Sequence, residues 1–298
     1  MNSLFDDFKN TFSKTGNGLN QLIIINIIVF VILIILKVIL HVLKLEDIYE
    51  TIEDYLFLPP LAEVFIYEPW TIFTYFFSHT DFFHIIFNMI FLYWFGSLIT
   101  EFLGSKRLIS LYILGGIVGG LLYLLAYNTI PYFADNAPKH LLGASASVYA
   151  IVVGAAVLIP DYTFFLLFLG PVKIKYIAMF YALLSFANTI GPNAGGNIAH
   201  LGGALLGALF IIQLKKGHDW GKPVEVVLNF FSSLFKPKTK IKVTYKTTEN
   251  TRRNFKQNDD ISQEEIDAIL DKISKYGYEK LSKEEKQKLF KASQSTHI

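Results

Sequence analysis

The chain of 298 residues is 52% hydrophobic and only 17% charged, with a mean hydropathy of +0.40, a balance that excludes an ordinary soluble domain and marks a membrane protein. A net charge of +2, with the basic residues gathered in one C-terminal region and no basic stripe interleaved with aromatics, excludes nucleic acid as a partner. The absence of cysteine rules out disulfides, thiolate catalysis and Cys-ligated metal.

A bilayer core of ~30 Å takes ~20 mostly apolar residues per helix. After an N-terminal segment, 1–20, the first apolar run continues from Leu22 past Leu36. It is too long for a signal-peptide core and no small-residue cleavage pattern follows, so it reads as a retained anchor. Six membrane helices are predicted over 21–43, 84–103, 108–127, 143–159, 172–188 and 197–214. The apolar stretch Thr163 to Leu169 is cut off by Gly170-Pro171 and is assigned to a connection packed on the bundle.

Lys and Arg in short loops stay on the cytoplasmic side. Lys106 and Arg107 follow the second segment, Lys173 and Lys175 precede the fifth, and Lys215 and Lys216 follow the sixth. Those loops, and both termini with them, are expected in the cytoplasm. The connection from Leu45 to Phe83 carries eight acidic residues, among them Glu46, Glu53 and Asp81, and no Lys or Arg. It is expected outside, half-embedded in the interface as short amphipathic segments.

Beyond the bundle, 21–216, residues 215–256 carry eleven Lys or Arg against Asp219, Glu225 and Glu249. The stretch 217–260 reads as a basic cytoplasmic linker that either contacts anionic lipid, with Val224 to Phe235 as an interfacial helix, or is a solvated tether. In 261–298, Ser262 with Glu265 and Ser282 with Glu285 form two capping boxes, each opening a helix with apolar residues at helical spacing. Gly277 separates them, giving a small soluble helical hairpin.

Polar residues inside apolar segments suggest function. The second segment begins His84-Ile-Ile-Phe-Asn88, the fourth Gly143-Ala-Ser145-Ala-Ser147-Val-Tyr149, and the sixth Asn197-Ile-Ala-His200 with Gly203 and Gly207 beyond. These three segments run in the same direction, so a Ser, a His and an Asn converge at one depth. A serine hydroxyl needs a base within hydrogen-bond reach, and His200 is the only histidine in the last three segments. Ser145 sits near a helix N-terminus, where its own amide helps to form an oxyanion hole, with Asn88 and His84, at i and i+4, as side-chain donors. Tyr149, one turn after Ser145, is placed to stack on the imidazole. Gly203 and Gly207 share the His200 face and let the fourth helix approach.

Together these residues resemble the rhomboid family, whose pattern is H-x-x-x-N, G-x-S-G with a Tyr four residues after the Ser, and A-H-x-x-G-x-x-x-G. This chain reads His84-x-x-x-Asn88, Gly143-Ala-Ser145-Ala146 with Tyr149, and Ala199-His200-x-x-Gly203-x-x-x-Gly207, over roughly 60–214. Two departures stand out. Ala146 replaces the Gly after the serine, and the family's Trp-Arg pair in the first loop reads Trp70-Thr71. The resemblance implies an all-α six-helix bundle in a prokaryotic cell membrane that cleaves transmembrane segments of other proteins, which enter sideways and unwind locally, by a Ser145–His200 dyad through an acyl-enzyme, with no cofactor. The hairpin resembles a tail found on some prokaryotic rhomboids.

The plainer readings differ. Ser145 alone would bond the carbonyl four residues back. Ser147, about 200° around the helix, is assigned to packing. His79, His84 and His200 have no carboxylate among the motifs with which to bind a metal. His41 and His140 read as interfacial surface residues. Two other functions were weighed: a catalytically inactive rhomboid-like protein that binds membrane clients, which would lack the Ser or the His, and a small transporter, which would carry charges at the midplane.

Overall fold

The computed structural model describes residues 16–166, 170–235 and 262–295. The N-terminal segment before Gly16 and the basic linker over 236–261 lie outside the described residues. The chain divides into two units, Met1–Lys236 and Pro237–Ile298.

The first unit begins with α1 (Gly18–Val42). The amphipathic α2 (Glu46–Leu56), α3 (Ala62–Phe65), α4 (Thr71–Thr74) and a 3-10 turn (Tyr75–Phe77) make up the first connection. There follow α5 (Phe82–Leu103), α6 (Ser105–Thr129), α7 (Pro131–Ala134), α8 (Ser145–Leu158), strands β1 (Thr163–Leu166) and β2 (Gly170–Lys173), α9 (Ile174–Ala187), α10 (Ala194–Lys215) and α11 (Lys222–Phe235). Helices α1, α5, α6 and α10 are long and apolar enough to cross a membrane. Two apolar helices of 14 residues, α8 and α9, are shorter. This is an all-α membrane protein with one departure. The expected connection near Thr163 is an antiparallel hairpin pairing Thr163 with Lys173 and Leu166 with Gly170. Gly170, at φ +69, opens the second strand instead of ending an apolar piece, because Gly adopts positive φ without strain.

Burial sorts the helices. On α1 the exposed residues include Ile28, Val31, Ile32, Ile35 and Val38, an apolar surface suited to lipid. On α8, Ala150, Ile151 and Ala155 are fully buried, because α5, α6 and α10 surround it. At ~1.5 Å per residue α8 is about 21 Å long, shorter than the ~30 Å of a bilayer core.

Small residues set the helix spacing. A Cβ on Gly203 would overlap the carbonyl of Ala146, and one on Gly207 that of Ala150, so α10 lies backbone to backbone on α8. The same device recurs on α6, unforeseen in the sequence. Gly115 abuts Ala150, and a Cβ on Gly119 would lie 2.6 Å from the Ala146 methyl. Gly119 thus makes the room that Ala146 needs where the family has glycine. A buried polar chain adds to this: Asn26 on α1 donates to Tyr112 Oη at 2.9 Å, and Tyr112 donates to the Phe76 carbonyl at 2.8 Å.

In the second unit, α12 (Gln263–Tyr276) and α13 (Lys283–Ser295) form the expected hairpin. Glu265 N–H donates to Ser262 Oγ at 3.3 Å. In the second box Glu285 N–H donates to Ser282 Oγ at 3.2 Å while Ser282 N–H donates to Glu285 Oε2 at 2.6 Å. Lys272 lies 2.7 Å from Glu285 and Lys288 lies 3.1 Å from Glu265.

Candidate active site

Helix α8 begins at Ser145, two residues later than expected, because Gly143 has φ +110 and cannot continue a helix backwards. The lead-in to Ser145 is held by the first connection. Leu58 and Leu141 exchange both backbone hydrogen bonds, at 3.0 and 2.8 Å, and Gly143 N–H donates to the Tyr75 carbonyl at 2.9 Å. Ala144 N–H donates to Nε2 of the fully buried His79 at 3.2 Å. Burial, with His84 beside it, pushes the pKa of His79 down to about 3, so it is neutral and able to accept. The first connection is itself anchored where the Trp-Thr pair departs from the family. Trp70 donates to the Tyr55 carbonyl at 2.9 Å and stacks on the Tyr55 ring, and the buried Thr71 hydroxyl donates to the Glu68 carbonyl at 2.6 Å.

Ser145 Oγ and His200 Nε2 are 2.7 Å apart. The Tyr149 ring lies flat on the imidazole, centroids 4.2 Å apart and planes 10° apart. On the other edge of the imidazole, Ser185 Oγ of α9 lies 3.2 Å from Nδ1 and 2.9 Å from Tyr149 Oη.

Ser145 and His200 both face a cavity of about 830 Å³ that is also lined by His84, Asn88, Tyr149 and Tyr181. Its remaining wall includes parts of the segments 132–142 and 190–196. The His84 ring occupies the space a side chain at Gly143 would fill, which gives that position a second reason to be glycine. Asn88 Nδ2 donates to the His84 carbonyl at 2.8 Å; an amide nitrogen carries two protons, so one remains for the cavity. Among the described residues no group of three His, Cys, Asp or Glu could hold a metal ion.

The structure places Ser145, His200, Asn88, His84 and Tyr149 around the cavity, Gly143 beneath His84, and Gly203 and Gly207 where α10 meets α8. Ser147 is fully buried against Gly116, away from the cavity. His140 departs from expectation. Its side chain is 11% exposed, lines the cavity and lies 3.0 Å from Asp54, and burial holds its pKa below the ordinary value. His41 is exposed. In the sequence His79 was considered only as a metal ligand, and Ser185 was overlooked. Ser185 is a polar residue in an apolar segment, the same signal that singled out Asn88.

Residues 67–216 match the model of the Rhomboid domain, and residues 252–295 match a family of unknown function (DUF6576). RHOMBOID-like protein 12, mitochondrial, of Arabidopsis thaliana is 33% identical over 160 residues, 49% of this chain and 47% of that protein. Rhomboid protein 1, mitochondrial, of Saccharomyces cerevisiae is 31% identical over 149 residues, 47% and 40% of the two chains. Presenilin-associated rhomboid-like protein A, mitochondrial, of Danio rerio is 28% identical over 166 residues, 53% and 40%. The matched part of this chain spans less than half the length of each of these relatives.

Proposed function

The chain belongs to the rhomboid family, and from that premise we propose that it is a serine endopeptidase that cleaves transmembrane segments of other membrane proteins. The observation that carries this reading is the 2.7 Å approach of His200 Nε2 to Ser145 Oγ at the wall of a cavity. His200 takes the Ser145 proton as Oγ attacks the scissile carbonyl. The oxyanion then faces the Ser145 amide at the start of α8, the second N–H of Asn88 and the His84 ring. His200 passes its proton to the leaving amine, and an acyl-enzyme remains on Ser145. Water in the cavity, deprotonated by His200, releases it.

The same reading makes α8 and α9 the two short members of a six-span bundle, with both termini cytoplasmic by the charge of the loops. The domains are then the bundle, 21–216, flanked by 1–20, with the linker 217–260 and the hairpin 261–298. Exposed Val226, Val227 and Leu228 support α11 as an interfacial helix, with the basic linker against anionic lipid. A prokaryotic cell membrane is the location we propose from the sequence resemblance alone, beside relatives whose names are mitochondrial.

Purified protein in lipid should cleave a transmembrane reporter, and Ser145→Ala or His200→Ala should abolish cleavage with insertion intact. A protein that only binds membrane clients would not cleave in any form.

A further inference from the structure

We propose that Ser185 is the positioning residue for the base: its oxygen accepts the Nδ1–H of His200 while its own proton goes to Tyr149, leaving Nε2 free to take the proton of Ser145. The inference rests on the dyad reading and adds a third helix to it.

The proton count carries the argument. A hydroxyl has one proton to give. In the proposed bridge that of Ser185 goes to Tyr149 Oη, 2.9 Å away, so at 3.2 Å from Nδ1 its oxygen meets the imidazole as an acceptor. Nδ1 then carries the ring proton, and Nε2 presents a lone pair to Ser145. The opposite tautomer would place a proton on Nε2, where it blocks the transfer. A serine in a membrane helix ordinarily spends its proton on the carbonyl four residues back. Ser97 and Thr129, on α5 and α6, do so here, bonding Tyr93 and Leu125. Ser185 instead turns across to another helix.

A neutral orienter suits the depth. A carboxylate in the same place would lose its hydration at a cost of several kcal/mol, whereas a hydroxyl that both accepts and donates is satisfied there. Ser185 is 1% exposed and is absent from the lining of the cavity that Ser145 faces, lying instead behind Tyr149 at a smaller neighbouring one, so it acts through the base. Tyr149 serves twice, as a flat support for the imidazole and as the acceptor that sets the direction of the Ser185 proton.

The test is reporter cleavage and thermal unfolding for the parent, Ser185→Ala, Ser185→Thr, Tyr149→Phe and the Ser185→Ala, Tyr149→Phe pair. Ser185→Ala should lower kcat about tenfold, the worth of one net hydrogen bond, with KM and the unfolding midpoint unchanged. Thr, which keeps the hydroxyl, should recover most of the rate. Tyr149→Phe keeps the ring and should cost less than Ser185→Ala, and the pair should be no slower than Ser185→Ala, because both act through one bridge. An active parent beside an equally active Ser185→Ala overturns the bridge and leaves the dyad standing. So does a double variant whose losses multiply, or a loss that Thr does not recover. An inactive parent overturns the dyad, and the bridge with it.

Discussion

Helix α10 meets α8 along a seam of backbone, whereas α9 reaches the same site with the tip of a side chain. At Gly203 and Gly207 no side chain separates α10 from the carbonyls of Ala146 and Ala150. At α9 the link to the base is a hydroxyl, and the rest of the helix exposes Met179, Phe180, Leu183 and Phe186. In lipid there is little hydrophobic drive between helices, so backbone proximity and hydrogen bonds supply the association. The seam sets the distance between Ser145 and His200. The hydroxyl sets the orientation of the ring at that distance. Damage to the seam should therefore unmake the site, while damage around the cavity should slow it.

The largest effect belongs to the seam. Gly207→Val would press a branched side chain into the Ala150 carbonyl and should cost roughly 1–3 kcal/mol or more of stability, with cleavage lost alongside. Leu205→Val, on a residue 56% exposed on the opposite face, should change neither the unfolding midpoint nor the rate. Equal behaviour of the two variants would end the distinction drawn between seam and surface. Next comes Asn88→Ala, which removes an oxyanion donor and should lower turnover by ~10²–10³ with the fold intact. An unchanged rate would take Asn88 out of the mechanism.

An effect confined to low pH concerns the loop that leads into Ser145. His79 is held neutral, its pKa pushed down to about 3 by burial and by His84. A histidine neutral in the fold and free to charge when unfolded contributes stability that is complete above the unfolded value of about 6.5 and is lost progressively as the pH falls towards about 3. Buried His140 acts in the same direction. The unfolding midpoint should drop as the pH is lowered from about 7 to about 4, and His79→Gln, which keeps an acceptor for Ala144, should show a shallower drop. Parallel curves would contradict a neutral, accepting His79.

The small-residue face of α10 and the stacking of Tyr149 were legible in the sequence because each depends on residues at fixed spacing along one helix, while the approach of Ser145 to His200 followed from the shared direction of their two helices. Helical periodicity puts Gly203, Gly207 and His200 on one face, and Ser145 with Tyr149 on another. Both capping boxes of the hairpin are local in the same way. What escaped was set by contacts far apart in the chain. His79 reaches Ala144 across 65 residues, and the Leu58 to Leu141 pairing that holds the lead-in to Ser145 joins two loops with no periodic signature. The glycines of α6 were visible as residues but not as a seam, since nothing local says which neighbour they face. Ser185 was passed over because its partners lie on two other helices.

The most direct measurement is covalent labelling of the purified protein by a fluorophosphonate, with the modified residue identified by peptide mass. The account predicts one adduct, on Ser145, strongly diminished in His200→Ala and retained in Ser147→Ala. An adduct on Ser147, or labelling that is indifferent to loss of His200, would contradict it.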